Sequence, residues 1–197
     1  MRADTMYAGV KAGGQSGAEL AYFAPAGTPL PATPFADLDP AFVSAGLCTQ
    51  DGYSQTQDLS KESVYSFGIL TPTRVLKTQQ ETSGSLTFQQ TSPTALEVYN
   101  SLPLGSIVPT ATGEMTVTQG PIRSQRYVCV IETFDGPNRT RLVMPEIEPD
   151  KDGDFAISMS SITERAIAMT AYPDENGNAV YEHYLIPSLG STTPDTP

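Results

Sequence analysis

The sequence predicts a mainly β fold: a β-sandwich or partly open barrel of about eight strands with one short flanking α-helix. Three observations carry this expectation. Pro (17) and Gly (16) make up about one residue in six of 197, and Ser, Thr and Gln are plentiful, so turns must be frequent. Short runs alternate apolar and polar residues with period two between turn signals. Only one stretch, 92–102, carries helix punctuation at both ends.

In chain order, residues 11–17 are flexible-linker chemistry, and a short apolar strand follows at 18–24. Pro25, Pro29, Pro31, Pro34 and Pro40 then forbid a helix. Residues 1–42 therefore read as an extended arm laid along a surface and ordered by a neighbour. Residues 43–58 alternate weakly around the turn signal Asp51-Gly52. Residues 59–68 read as a polar loop with embedded Tyr65 and Phe67, and 71–91 as two strands around Ser83-Gly84. In 92–102, Ser92 caps, Pro93 takes the first helical position, and Ala95, Leu96, Tyr99 and Leu102 form an apolar stripe. Strands are expected at 126–134 and 139–147 around the hairpin loop 135–138, then at 155–161 after an acidic loop at 148–154. A further strand at 164–172 places Ile167, Met169 and Ala171 on one face. The turn 174–178 leads as a hairpin into 179–186. Residues 187–197 read as a flexible tail. The resulting division is an arm (1–42), one β domain (43–186) and a tail (187–197).

Charge and composition exclude several functions. The net charge is −11 with a pI near 4.3, the wrong sign for tight phosphate binding. Arg123, Arg126, Arg139 and Arg141 form a basic stretch ahead of the acidic residues 148–197. That asymmetry reads either as complementary self-associating surfaces or as solvated strand faces. The two cysteines, Cys48 and Cys129, lack any metal-binding spacing and read as small buried hydrophobes of a protein made in a reducing cytoplasm. No signal peptide and no membrane span is read. Asn138-Arg139-Thr140 is a chance sequon.

Catalytic chemistry has no foothold. His183 is the only histidine, no nucleophile elbow accompanies it, and it reads as a surface strand residue. The numerous carboxylates lack the Trp that sugar sites usually employ. The run 148–153 imitates the start of a calcium loop, but the closing ligand position holds Met159. No phosphate loop or dinucleotide fingerprint occurs. No catalytic, cofactor-binding or metal residue is assigned, and the chain reads as a non-enzyme.

Three motifs in order resemble a known family. They are Gly46-Leu-Cys-Thr-Gln-Asp51-Gly52, then Lys61-Glu62-Ser-Val-Tyr65-Ser-Phe67-Gly68, then a strand over 82–90 running into the helix at 93–100. Together they resemble the major tail tube protein of long-tailed (siphovirus) bacteriophages infecting actinobacteria, over roughly residues 40–185. The sequence departs from that family at Phe67, where Trp is usual, at Gln90, where an acid is common, and at Asn100, where Gly is common. The resemblance implies a virion protein, made in the host cytoplasm, that assembles into stacked rings of six. Strands would line a lumen and the helix would lie outside. The implied partners are other copies of itself and the tape-measure, tail terminator and tail-tip proteins. DNA would pass only in transit, without specific binding, and no cofactor or membrane is involved. Lys61, Glu62, Tyr65 and Phe67 are the expected inter-ring contacts. The alternative reading is a β-sandwich receptor-binding or decoration module of a virion, and a third is an acid hydrolase with converging carboxylates.

Overall fold

The computed structural model describes residues 20–121, 123–135, 138–153, 155, 157 and 162–187. The linker at 11–17 and nearly all of the 187–197 tail lie outside them. So does most of the strand expected at 155–161, of which Phe155 and Ile157 are described and are not in a strand.

The elements in order are β1 (Ala21–Pro25), β2 (Val43–Ser44), β3 (Cys48–Val64), β4 (Arg74–Phe88), α1 (Pro93–Tyr99), β5 (Tyr127–Asp135), β6 (Asn138–Lys151), β7 (Arg165–Tyr172) and β8 (Tyr181–Leu185). The strands form one eight-stranded sheet in the order β2-β1-β5-β6-β7-β4-β3, with β8 added on β6. Every pairing is antiparallel. The fold is the expected mainly β open sandwich with one short helix.

The two end strands of the sheet, β2 and β3, are consecutive in the chain and joined only by residues 45–47. A sheet whose opposite edges are tied so closely must curl on itself. Phe23 of β1 consequently meets Phe88 of β4 edge to face, ring centroids 6.1 Å apart, and Tyr127 of β5 at 6.4 Å. These rings, with Leu86, Met144, Ile147, Ile167 and Met169, form the main core. Ile167, Met169 and Ala171 lie on the core face of β7, as the alternation of that strand predicts.

Strand β6 carries β5 along one edge. Its other edge takes β7 at Glu146–Lys151 and β8 at Arg139–Val143. Pro145, which has no N–H to donate, falls in the gap between those two partners and in the register slip opposite β5. The turn at 174–178 therefore does not close a hairpin. It carries the chain past Pro145 from one partner site on β6 to the next. Asp174 holds that turn by accepting bonds from the Asn176 and Asn178 amides and the Tyr181 hydroxyl. These bonds, the Tyr181 hydroxyl foremost, draw its carboxyl down to about 2.

Further corrections follow from pairing. The acidic run at 148–151 is strand, not loop: Glu148, Pro149, Asp150 and Lys151 sit opposite Thr170, Met169, Ala168 and Ile167. Ile147 and Pro149 face inward while Asp150 faces out, so the calcium-loop imitation has no loop geometry. Residues 59–64 likewise belong to β3, and β4 runs unbroken through Ser83-Gly84. Gly84 is needed there because the Tyr53 ring lies over it, leaving no room for a Cβ, with the hydroxyl 3.5 Å from Met144 Sδ.

Helix α1 forms as its punctuation predicts. Ser92 Oγ accepts from the Ala95 amide at 3.0 Å and Pro93 opens the first turn. The C-terminus closes with the Leu102 amide donating to Glu97 O (2.8 Å) and the Ser101 amide to Val98 O (3.1 Å), with Ser101 left-handed at φ 51°. Asn100 fills the cap by donating Nδ2 to Leu96 O at 2.8 Å. The helix buries Glu97 along with its apolar face, and the Glu97 carboxylate accepts from the Gly105 (3.0 Å) and Ile107 (2.6 Å) amides.

Replacing Gly84 by Ala is expected to evict the Tyr53 ring and lower unfolding stability by about 1–3 kcal/mol. A urea midpoint unchanged from wild type would show that the ring–glycine contact contributes nothing.

Candidate functional site

The feature that stands apart from the core is the β3–β4 hairpin. The two strands pair from Cys48–Phe88 out to Val64–Arg74. Only Thr82–Phe88 of β4 has a second partner, β7. Beyond it the strands continue as a two-stranded ribbon, with nearly every residue of 54–64 and 74–81 exposed. A ribbon of two strands alone is marginally stable in water. Cross-strand bonds hold this one, among them the Thr78 hydroxyl donating to Ser60 O at 3.4 Å.

The tip is ordered by local bonds. The Thr73 amide donates to Val64 O (2.9 Å), and the Ile69 amide to Ser66 O (3.1 Å) across a four-residue turn. Gly68 takes φ +80° there, at the third position, where a type II turn requires it. Phe67 and Leu70 are fully exposed, and Val64, Tyr65, Ile69 and Val75 are largely so. An apolar cluster held out on a ribbon has no use within its own chain.

All four residues expected to make inter-ring contacts fall on this end of the ribbon. Lys61 and Glu62 are on β3 opposite Lys77 and Leu76, and Tyr65 and Phe67 are at the tip. Sequence reasoning missed Ile69 and Leu70; a Gly turn followed by two apolar residues and then Thr71-Pro72 was the signal available for them.

The ribbon is anchored at the corner that joins the sheet's two ends. Gly46 is left-handed at φ +88°, and a Cβ there would lie 2.6 Å from Gln90 Oε1. That oxygen accepts the Leu47 amide at 3.0 Å, while Leu47 O accepts the Gln89 and Gln90 amides at 2.9 and 3.1 Å. Ser92 Oγ donates to Ala45 O at 2.7 Å, linking the helix cap to the same corner.

The outer face of β5–β6–β8 is covered by the chain's own Pro-rich segment. Leu30, Leu38 and Phe42 pack with Tyr181 over Tyr22, Val130 and Val143. Beneath them Arg141 and Glu132, each 1% exposed and opposite one another in register, form a buried ion pair. Arg141 also donates to Ala36 O at 2.7 Å, and Arg139 lies 5.2 Å from the Phe35 ring and 4.7 Å from Phe134. Arg126 is engaged by Glu146 at 2.8 Å and by the Tyr172 ring at 4.5 Å. Three of the four arginines therefore do not join one basic docking surface: Arg141 is interior, Arg126 is neutralised and Arg139 is stacked on rings, while Arg123 is exposed. Each of the three is held by a residue distant in sequence.

Among the described residues, reactive side chains do not converge. Burial pushes the Cys48 thiol up to about 12 and the Cys129 thiol higher, so both stay protonated. His183 stacks on Tyr181, centroids 6.4 Å apart. Among the described residues no group of three or more His, Cys, Asp or Glu side chains is placed to hold a metal, and no helix is long and apolar enough to cross a membrane.

Residues 17–186 match the family described as phage tail tube protein. The chain belongs to that family. No curated protein matches the sequence. Among solved structures, it is similar to a chain in the cryo-EM structure of the anti-feeding prophage baseplate, 6-fold symmetrised, at 14% identity, covering 88% of this chain and 97% of that one, with a TM-score of 0.43. A phage tail tube protein is a structural component of the virion tail, in a family not known for catalysis.

Removing one member of the buried pair, as in Arg141→Met, is expected to cost the tail tube protein about 3–5 kcal/mol by stranding Glu132. The double change Arg141→Met with Glu132→Leu should recover most of that loss in thermal melts.

Proposed function

We propose that this chain assembles into rings, six subunits each, that stack into the tail tube of a long-tailed phage infecting actinobacteria and conduct its genome. The single observation behind the proposal is the ribbon: two strands that leave the sheet without packing partners and end in an exposed apolar tip. Residues 43–186 serve as the tube domain. Of the arm (1–42), residues 21–25 form strand β1 within the sheet and the Pro-rich part that follows lies on the chain's own outer face, and 187–197 is a tail. Lys61, Glu62, Tyr65 and Phe67 make the inter-ring contacts. The free edges of β3 and β8 are offered for pairing between subunits, which turns a normal aggregation hazard into an assembly device. The net charge of −11 repels phosphate, so DNA passes without sticking. Assembly around a tape-measure protein, closed by terminator and tail-tip proteins, completes the reading.

Purified wild-type protein at high concentration is expected to show rings or filaments by negative-stain electron microscopy. The double variant Tyr65→Ala with Phe67→Ala should remain folded by circular dichroism and lose at least tenfold in polymer yield. Normal polymerisation by that variant would remove the ribbon from the assembly mechanism. Monomers or trimers alone from the wild type would favour a receptor-binding or decoration module.

A further inference from the structure

At the far end of β4 from the ribbon tip lies an open groove of about 540 Å³. Its walls come from α1 (Leu96, Tyr99), from the extended segment after the helix (Met115, Val117) and from Phe155. Two cations in it are already engaged: Lys151 Nζ lies 4.8 Å from the Tyr99 ring, and Arg165 lies 4.8 Å from Phe155.

We infer that this groove receives the hairpin tip, Phe67 and Leu70 foremost, of a second copy of the chain. The inference rests on the tube reading above and names the surface the ribbon docks on. Placement supports it first. Strand β4 is 15 residues long, with the tip at its beginning and the groove, through Thr91, just past its end. The two features therefore sit on the order of 45–50 Å apart at opposite ends of one axis, too far to meet within one chain. A knob and a hole at opposite ends make a heterologous contact, and translation along that axis repeats it without closing.

Chemistry supports it next. The groove is of a size that holds a drug-sized ligand, ample for a phenyl and an isobutyl group, and its walls are mainly apolar. Charge supports it third. Beyond the cross-strand pair Asp58–Glu81, the ribbon end carries Lys61, Arg74 and Lys77 against Glu62, and Lys61 faces Lys77 directly, a like-charge pair that an acidic partner would relieve. The exposed residues next in sequence to its lining include Glu114, Asp152 and Glu164. Asp150 and Arg123 both line the adjoining hollow of about 290 Å³.

The test places the photo-cross-linker benzoylphenylalanine at position 67, assembles the polymer, irradiates it and maps the links by mass spectrometry. Links from position 67 to peptides containing Leu96, Met115 or Val117 of another subunit are expected. A polymer whose links all map elsewhere overturns the groove assignment while leaving the tube reading intact. Absence of polymer at every concentration overturns both. Independently, Val117→Trp fills the groove without touching the tip, and its polymer yield should fall at least tenfold with the melting temperature held. Normal assembly by that variant would also end the assignment.

Discussion

Three residues, 45–47, tie the first and last strands of the sheet together, and much of the architecture depends on that constraint. Because β2 and β3 border opposite ends of the strand order, the sheet cannot lie open and must roll until its edges approach. Rolling brings the Phe23 and Phe88 rings edge to face across the interior and gives a single sheet an inside. The corner is tight enough to need a left-handed glycine and a side-chain amide. Gly46 leaves room for Gln90, which accepts from the backbone that turns there. Since β3 leaves this corner, the same bonds that close the core set the direction of the ribbon.

Buried charge does a second kind of positioning. Glu97 has its oxygens on the Gly105 and Ile107 amides, fixing the chain that leaves the helix. Arg141 reaches from β6 to Glu132 and to the carbonyl of Ala36, pinning the Pro-rich segment onto the outer face. Pairs of this kind add little net stability relative to apolar replacements, because desolvation offsets their attraction. Their effect here is geometric: they fix where the Pro-rich segment and the loop after the helix pack.

The division of labour suits a polymer subunit. The curled sheet and helix bury one apolar core, and the Pro-rich segment covers Tyr22, Val130 and Val143. The ribbon does the opposite, exposing strand edges, a like-charge pair and an apolar tip.

Local chemistry alone was sufficient for some of this. The helix was legible because Ser92 and Pro93 act within one turn of themselves, and β7 because alternation is written along a single strand. The tip residues Tyr65 and Phe67 stood out as aromatics in a polar setting, and motif order pointed to the family. What needed tertiary structure was every feature set by a partner distant in sequence. Gly84 resembles a strand break until the Tyr53 ring is placed over it. The run 148–151 resembles a loop until β7 pairs with it. The arginines resemble a surface patch until Glu132, Glu146 and Phe35 reach them. A strand's backbone bonds are made with another strand, so its extent and the fate of its charged side chains are decided by the neighbour and not by the residues themselves.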